Sequence, residues 1–278
     1  MATPTLFVQA ALARSYARVI WMFRNRTWLI QETLLPVLSV AAFAYAYKAL
    51  GAPREFVGYV VLGAAMTAFW FNVLWSMGAH LYWERDSGNL ELYILSPAPM
   101  MGILAGMALG GMATTCTRAV AILLTGILIF GVPVAYENVP LAFLGFVLTL
   151  IALYGLGMMF ASLFLLWGRE AWHMVNLLQE PVFLLTGMNF PIRIFLGYPV
   201  LLAFALVVPL TAGMDALRQL LFPLDPATGV PRQGLRPVWE ELTLLAVLGV
   251  TFILLARRSL ALLERKAKVE GRLGIRWQ

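Results

Sequence analysis

Long apolar runs dominate this chain and restrict what it can fold into. Five runs are evident at once: Trp28–Tyr47, Phe56–Tyr82, Met100–Phe130, Pro140–Trp167 and Val238–Ala256. A helix needs roughly 20 mainly apolar residues to cross a hydrocarbon core of about 30 Å. The chain is 61% hydrophobic and 12% charged over 278 residues, whereas soluble domains carry about 25% charged residues. It is therefore predicted to be an integral membrane protein.

The apolar stretch after the fourth run divides at its prolines. Ala171–Phe190 is long enough to span a membrane. Val200–Val208 lies between Pro199 and Pro209 and would rise only about 14 Å as a helix. Such a piece is expected to dip into the bilayer or to lie on its surface. The predicted fold class is an all-α polytopic membrane protein with six transmembrane helices and a short re-entrant or surface helical hairpin between spans five and six.

The distribution of basic residues agrees with six spans, because cytoplasmic loops carry more Lys and Arg than external loops. With six spans, both termini lie on one side. That side collects thirteen Lys and Arg and the other side six, with Arg118 inside a span. Both termini are therefore predicted to be cytoplasmic. The positive charge is interpreted as membrane orientation, and no nucleic-acid partner is expected.

Segments outside the spans belong to a single transmembrane domain over residues 1–278. Arg14 and Arg18 lie four residues apart on one face of an N-terminal segment, which is typical of an interfacial helix. The assigned segments are the N-terminal interfacial helix 1–27, the cytoplasmic coupling segment 83–99, the external or re-entrant segment 191–237 and the basic cytoplasmic tail 257–278.

The longest internal cytoplasmic segment, residues 83–99, combines a helix signal with an apolar face. Asp86 or Ser87 is predicted to cap a short helix, which the prolines that follow would end. Three residues at helical spacing would form its apolar face: Leu90, Tyr93 and Ile94. Such a helix is typical of a segment that docks on a protein partner. A connector that rests on the bilayer is the alternative.

Two motifs resemble those of the type-2 ABC export permeases. The first corresponds to the coupling helix of that family and matches at Glu84, Gly88, Asn89, Leu90, Glu91 and Pro97, with Asn89 in place of the usual Thr. The second follows span five and comprises Thr186–Ile192 and Val208–Arg218. The resemblance extends over the whole chain in span order.

This resemblance implies the permease subunit of an ABC exporter in the plasma membrane, with a drug, lipid or polysaccharide as substrate. Two permease subunits, identical or different, would join two cytoplasmic ABC ATPase subunits. Residues expected to couple to the ATPase are Glu84, Gly88, Asn89, Leu90, Glu91, Leu92, Ile94 and Pro97. The chain lacks a G-x-x-x-x-G-K-[ST] phosphate loop, so no cofactor is expected in it. ATP and Mg²⁺ would bind the ATPase, and this chain is not expected to be an enzyme.

Ionisable residues inside a membrane are costly and are therefore candidates for function. Arg118 lies in span three, and its expected partner is Glu180 in span five or Glu32 in span one. These charges either face the substrate path or form a structural ion pair. Other candidates for the translocation pathway are Phe69, Trp70, Asn189 and Phe190, and Phe71 and Trp75 of span two could line it as well. The alternative is that these aromatic residues fill helix contacts or mark the membrane interface.

Two further patterns concern packing and metal binding. Gly102, Gly106 and Gly110 recur every four residues, which predicts close helix packing. His80 and His173 are isolated from other ligand-type residues, so no metal site is predicted.

Two other functions are consistent with a polytopic membrane protein. An ion-coupled secondary transporter would use Arg118, Glu32 and Glu180 as coupling residues. A lipid-modifying enzyme would need clustered His, Asp or Glu near an interface, and the sequence shows no such cluster. The partly apolar cytoplasmic helix favours the exporter.

Overall fold

In a computed structural model, the chain is almost entirely helical. The structure describes residues 4–51, 54–78, 81, 83–84, 87–136, 138–167, 171–188, 192–222 and 234–270, and these parts contain no strand. The helices in chain order are α1 (Pro4–Arg24), α2 (Arg26–Ala49), α3 (Arg54–Phe71) with a π-helical continuation (Asn72–Gly78), α4 (Asn89–Leu95), α5 (Met100–Leu128), α6 (Val139–Trp167), α7 (Ala171–Leu185), a 3₁₀ helix (Ile192–Gly197), α8 (Pro199–Val207), α9 (Pro209–Leu221) and α10 (Val238–Glu270).

Within the described parts of the chain, five helical stretches are long and apolar enough to cross a membrane: Arg26–Ala49, Phe56–Gly78, Met100–Leu128, Val139–Leu163 and Val238–Leu262. Helices α8 and α9 form a pair bent by 92°, which is a sixth candidate if the pair is one span. Each member of the pair begins with a proline. The predicted all-α membrane fold is confirmed, and the bent pair lies where the two prolines predicted a broken hairpin.

The predicted fifth span, Ala171–Phe190, is shorter in the structure. Helix α7 has 15 residues and therefore rises about 22 Å, less than the roughly 30 Å of a hydrocarbon core. It ends in a turn at which Gly187 has a φ of 62°. Glycine adopts this left-handed conformation without a steric penalty, so the backbone leaves the helix before the apolar run ends.

Helix α3 and its π-helical continuation form the centre of the bundle. Of the apolar stretch Phe56–Gly78, 83% is buried, compared with 11% of α2. On the other side of the bundle, α10 packs along α6. Helix α10 is continuous over 33 residues, so the basic tail predicted from residue 257 begins as an extension of the last candidate span.

Helix α1 packs along α5 on the predicted glycine stripe. A Cβ atom added at Gly102 would lie 3.1 Å from the Phe7 carbonyl oxygen, and one at Gly106 would lie 2.5 Å from the Ala11 carbonyl oxygen. A Cβ at Gly110 would likewise meet α1, 3.1 Å from the Cα of Ser15. Close backbone approach of this kind requires small residues. The stripe therefore serves contact with the N-terminal helix.

Candidate translocation cavity and coupling segment

A cavity of about 780 Å³ opens between α2, α3, α5 and α7. The described residues of its wall are mainly apolar and aromatic and include three ionisable side chains: Glu32 from α2, Arg118 from α5 and Glu180 from α7. The structure thus brings the three intramembrane charges of the sequence to one cavity.

Arg118 forms an ion pair with Glu32, one of its two predicted partners. Arg118 Nη1 donates a hydrogen bond to Glu32 Oε2, and Nη2 lies 3.5 Å from Thr115 Oγ1. The guanidinium also lies 5.7 Å from the ring centroid of Trp28. The Arg118 side chain is 9% exposed and that of Glu32 is 36% exposed. This pair ties α5 to α2 and neutralises the charge of Arg118.

Glu180, the other predicted partner, lies apart from this ion pair. It is exposed and accepts a hydrogen bond from Gln179 Nε2 at 3.3 Å. Gln179 Oε1 in turn accepts a hydrogen bond from Trp75 Nε1 at 3.4 Å. Pro181 lies within the same helix and lacks a backbone N–H, which weakens helical hydrogen bonding beside Glu180.

Two of the aromatic residues predicted for the pathway, Phe69 and Trp70 in α3, are not among the described residues that line the cavity. Phe69 is 0% exposed and Trp70 is 1% exposed, and both belong to the core. Phe69 packs against the ring of Phe146. Phe71 and Trp75, the other two aromatic candidates of this span, do line the cavity. The sequence carries no signal that separates the two pairs, because the helix is apolar all round.

The coupling segment contains the expected short helix, α4, but its start differs from the prediction. The N-cap is Gly88, with a φ of 78° and no side-chain cap, and the prediction of a cap at Asp86 or Ser87 was wrong. Ser87 Oγ donates to the Trp83 carbonyl at 2.7 Å instead, and Asp86 lies outside the described residues. The left-handed φ favours glycine at position 88.

The apolar side chains of α4 point in two directions. Leu90 is 1% exposed and packs in the core of this chain, so it does not face a partner as predicted. Leu92 and Leu95 are 65% and 81% exposed. The side chains of Glu91 and Ile94 lie outside the described part of the structure. The exposed apolar surface of α4 is therefore formed by Leu92 and Leu95, one turn apart.

Helix α1 holds the coupling segment through a contact that the sequence did not predict. Arg14 Nη2 donates to Glu84 Oε1 at 2.6 Å, and Asn89 Nδ2 donates to Glu84 Oε2 at 2.9 Å. The Arg14 guanidinium lies 5.5 Å from the ring centroid of Tyr93. Burial raises the pKa of Tyr93. Two motif residues, Glu84 and Asn89, thus fix α4 to α1 at its first turn.

Arg18 makes a second contact from α1, one turn after Arg14. Its Nη1 donates to the Ser76 carbonyl at 3.1 Å, and Ser76 lies in the π-helix and lines the cavity. Burial lowers the pKa of Arg18. Both arginines therefore contact other segments of this chain. The signal that could have found this contact is their four-residue spacing, which matches the glycine stripe on α5.

The second motif supplies a buried polar cluster where α9 meets α10. Asp215 Oδ2 accepts hydrogen bonds from the Leu235 N–H at 2.5 Å and from Gln219 Nε2 at 3.3 Å. Gln219 Nε2 also lies 3.1 Å from Glu241 Oε2. Glu241 is 1% exposed. This cluster connects the bent pair to the start of α10.

Arg218, at the end of the same motif, joins α9 to α3 and to the turn after α7. Its Nη2 donates to the Met188 carbonyl at 2.8 Å, and its guanidinium lies 4.5 Å from the ring centroid of Tyr59. Arg218 is 2% exposed. The charge count from the sequence placed Arg218 among the six basic residues of the external side. In the structure it is a buried residue that joins these segments.

The remaining sequence candidates have simple placements. Pro97 is exposed after the end of α4, and His173 is exposed on α7. Asn189, Phe190 and His80 lie outside the described residues. Across the parts of the chain that the structure describes, no three His, Cys, Asp or Glu residues are grouped to hold a metal ion.

Comparison with known protein families gives a match over most of the chain. The family model described as ABC-2 type transporter matches residues 8–222, well over half of the 278-residue chain. The match runs from within α1 to the end of α9 and includes the cavity and both motifs. No curated protein matches the chain.

Proposed function

The chain belongs to the ABC-2 type transporter family, and on this premise we propose that it is the membrane subunit of an ATP-driven exporter. Members of this family are membrane subunits of transporters and are not themselves catalytic. In this proposal the chain moves a hydrophobic or amphipathic substrate out of the cytoplasm. A separate cytoplasmic ABC ATPase binds and hydrolyses ATP.

The observation that carries this proposal is the surface of α4. Leu92 and Leu95 form an exposed apolar pair on a helix whose first turn is fixed by the Arg14–Glu84–Asn89 contacts. An apolar surface on a well-held helix suits a protein partner, because burying it excludes water without a loss of order. We therefore assign Leu92 and Leu95 to the ATPase contact.

A second permease subunit completes the proposed complex. Helix α2 has 11% of its apolar stretch buried, and large apolar side chains such as Leu34, Leu38 and Tyr45 are exposed along it. The cavity opens beside this helix. Pairing of two permease subunits around their cavities would enclose a path between them, with lipid covering the rest of α2.

Aspartate at both Leu92 and Leu95 is expected to reduce co-purification of the partner ATPase by about tenfold or more, because the interface would bury two unpaired charges. The measurements are pull-down of the co-expressed partner ATPase and its permease-stimulated ATP hydrolysis. Leu50→Asp is the matched control, since Leu50 is 79% exposed on the side predicted to be external. If all variants retain the ATPase and stimulated hydrolysis, the coupling assignment fails and an ion-coupled secondary transporter is favoured.

We propose that the protein lies in the plasma membrane. Both termini and the coupling segment would then face the cytoplasm. Single cysteines at Ser87 and Arg236, both exposed, are expected to react with a membrane-impermeant thiol reagent from opposite sides. The background is Cys116→Ser. Intact cells should label the Arg236 cysteine, and inside-out vesicles should label the Ser87 cysteine. Labelling of both from the same side would contradict the orientation.

A further inference from the structure

Among the described residues that line the cavity, the charges do not balance. They comprise two carboxylates, Glu32 and Glu180, and one guanidinium, Arg118. Arg118 is paired with Glu32 and is nearly buried, so these two charges compensate each other. Of the charged side chains described there, Glu180 is left uncompensated.

The surroundings of Glu180 provide polar support but no counter-charge. Its described hydrogen-bond partner is the neutral amide of Gln179 at 3.3 Å, and no described basic side chain forms a salt bridge with it. Arg18 is directed to the Ser76 carbonyl at 3.1 Å and does not line the cavity. A carboxylate that lines a cavity between apolar helices attracts a cation, because its charge is poorly solvated there.

Aromatic rings form the wall beside this carboxylate. Phe71 and Phe183 pack edge to face with centroids 5.4 Å apart. Phe183 lies one turn from Glu180 on α7, and Trp75 is hydrogen-bonded to the neighbouring Gln179. All three rings line the cavity. Ring faces attract organic cations and also provide apolar contact area.

From these observations we infer that the cavity selects organic cations, with the cationic centre at Glu180 and an apolar or aromatic body against Phe71, Trp75 and Phe183. An organic anion would meet the charge of Glu180 while the Arg118 guanidinium is already occupied by Glu32. A neutral ligand would cover Glu180 without compensating it. The inference rests on the proposed transport function, because it names the substrate class of that function's cavity.

The test uses two ions of nearly equal size and shape and of opposite charge, tetraphenylphosphonium and tetraphenylborate. The full-length chain is reconstituted in lipid nanodiscs, and binding is measured by equilibrium dialysis against empty nanodiscs. Saturable binding is expected for tetraphenylphosphonium and not for tetraphenylborate. Glu180→Gln is expected to weaken the binding of tetraphenylphosphonium by about tenfold, since it removes the opposite charge and keeps the size of the side chain.

Glu240→Gln is the matched control, because Glu240 is exposed at the start of α10 and does not line the cavity. It should leave binding unchanged. Equal saturable binding of both ions, or of tetraphenylphosphonium to the parent and to Glu180→Gln, would overturn the inference. If Glu180→Gln fails to fold, the comparison of the two ions on the parent protein still tests whether the cavity selects cations. The assay contains neither ATPase nor ATP, so loss of cation selectivity and loss of ATPase coupling are separate outcomes.

Discussion

Replacing Arg118 with leucine is expected to destabilise the folded protein by about 3 kcal/mol and to abolish transport. The change leaves Glu32 without its guanidinium partner, and removal of one member of a buried ion pair typically costs about 3–5 kcal/mol. The lower end applies because Glu32 is 36% exposed. The measurement is the thermal midpoint of the detergent-solubilised protein, monitored by size-exclusion chromatography after heating.

A charge swap separates the ion pair from other roles of Arg118. The double variant Glu32→Arg, Arg118→Glu should recover at least half of the lost stability, since it restores opposite charges across α2 and α5. Arg24→Leu, at an exposed position on α1, should change the thermal midpoint little. A swap no more stable than Arg118→Leu would contradict the pairing.

Replacing Gly106 with leucine is expected to separate α1 from α5. Even the first atom of the new side chain would lie 2.5 Å from the Ala11 carbonyl oxygen and 3.0 Å from its Cα. These are backbone atoms, so no rotamer change relieves the contact. Overpacking of this kind costs about 1–3 kcal/mol. The displacement should also break the Arg14–Glu84 contact.

Limited trypsin digestion measures this displacement. Arg14 and Arg18 are engaged in the parent, and both should become cleavable in Gly106→Leu at a protease concentration that spares the parent. Gly197→Leu is the control, because a Cβ atom at Gly197 meets nothing within 4 Å. If Gly106→Leu resists trypsin as well as the parent, α1 is not held by the glycine stripe.

The membrane fold was largely predictable because it depends on run length and on proline. Apolar runs located the five long candidate spans, and Pro199 with Pro209 located the bent pair. The end of α7 was not predictable from hydropathy, because Gly187 ends the helix by its conformation inside a run that continues to be apolar.

The candidate site was only partly predictable, because it depends on which face of each helix points inward. The sequence indicated that Arg118 needs an acidic partner, but choosing between Glu32 and Glu180 needs the packing of α2 and α7 against α5. The same limit explains why the burial of Leu90 and of Phe69 was not predicted. The Arg14–Glu84 contact joins residues 70 positions apart, and local periodicity carries no information about such a pairing.

The two contacts of α1 connect the coupling segment mechanically to the cavity wall. Arg14 binds Glu84 in the coupling segment, and Arg18 binds the Ser76 carbonyl in the cavity wall. The two arginines are separated by a rise of about 6 Å along one helix. Because α1 is attached at both points and packs on the glycine stripe of α5, a movement at one contact is expected to move the other. In the proposed complex, a tilt of α4 is therefore expected to shift the π-helical wall through α1, and loss of either contact is expected to leave the proposed ATPase bound without an effect on the cavity.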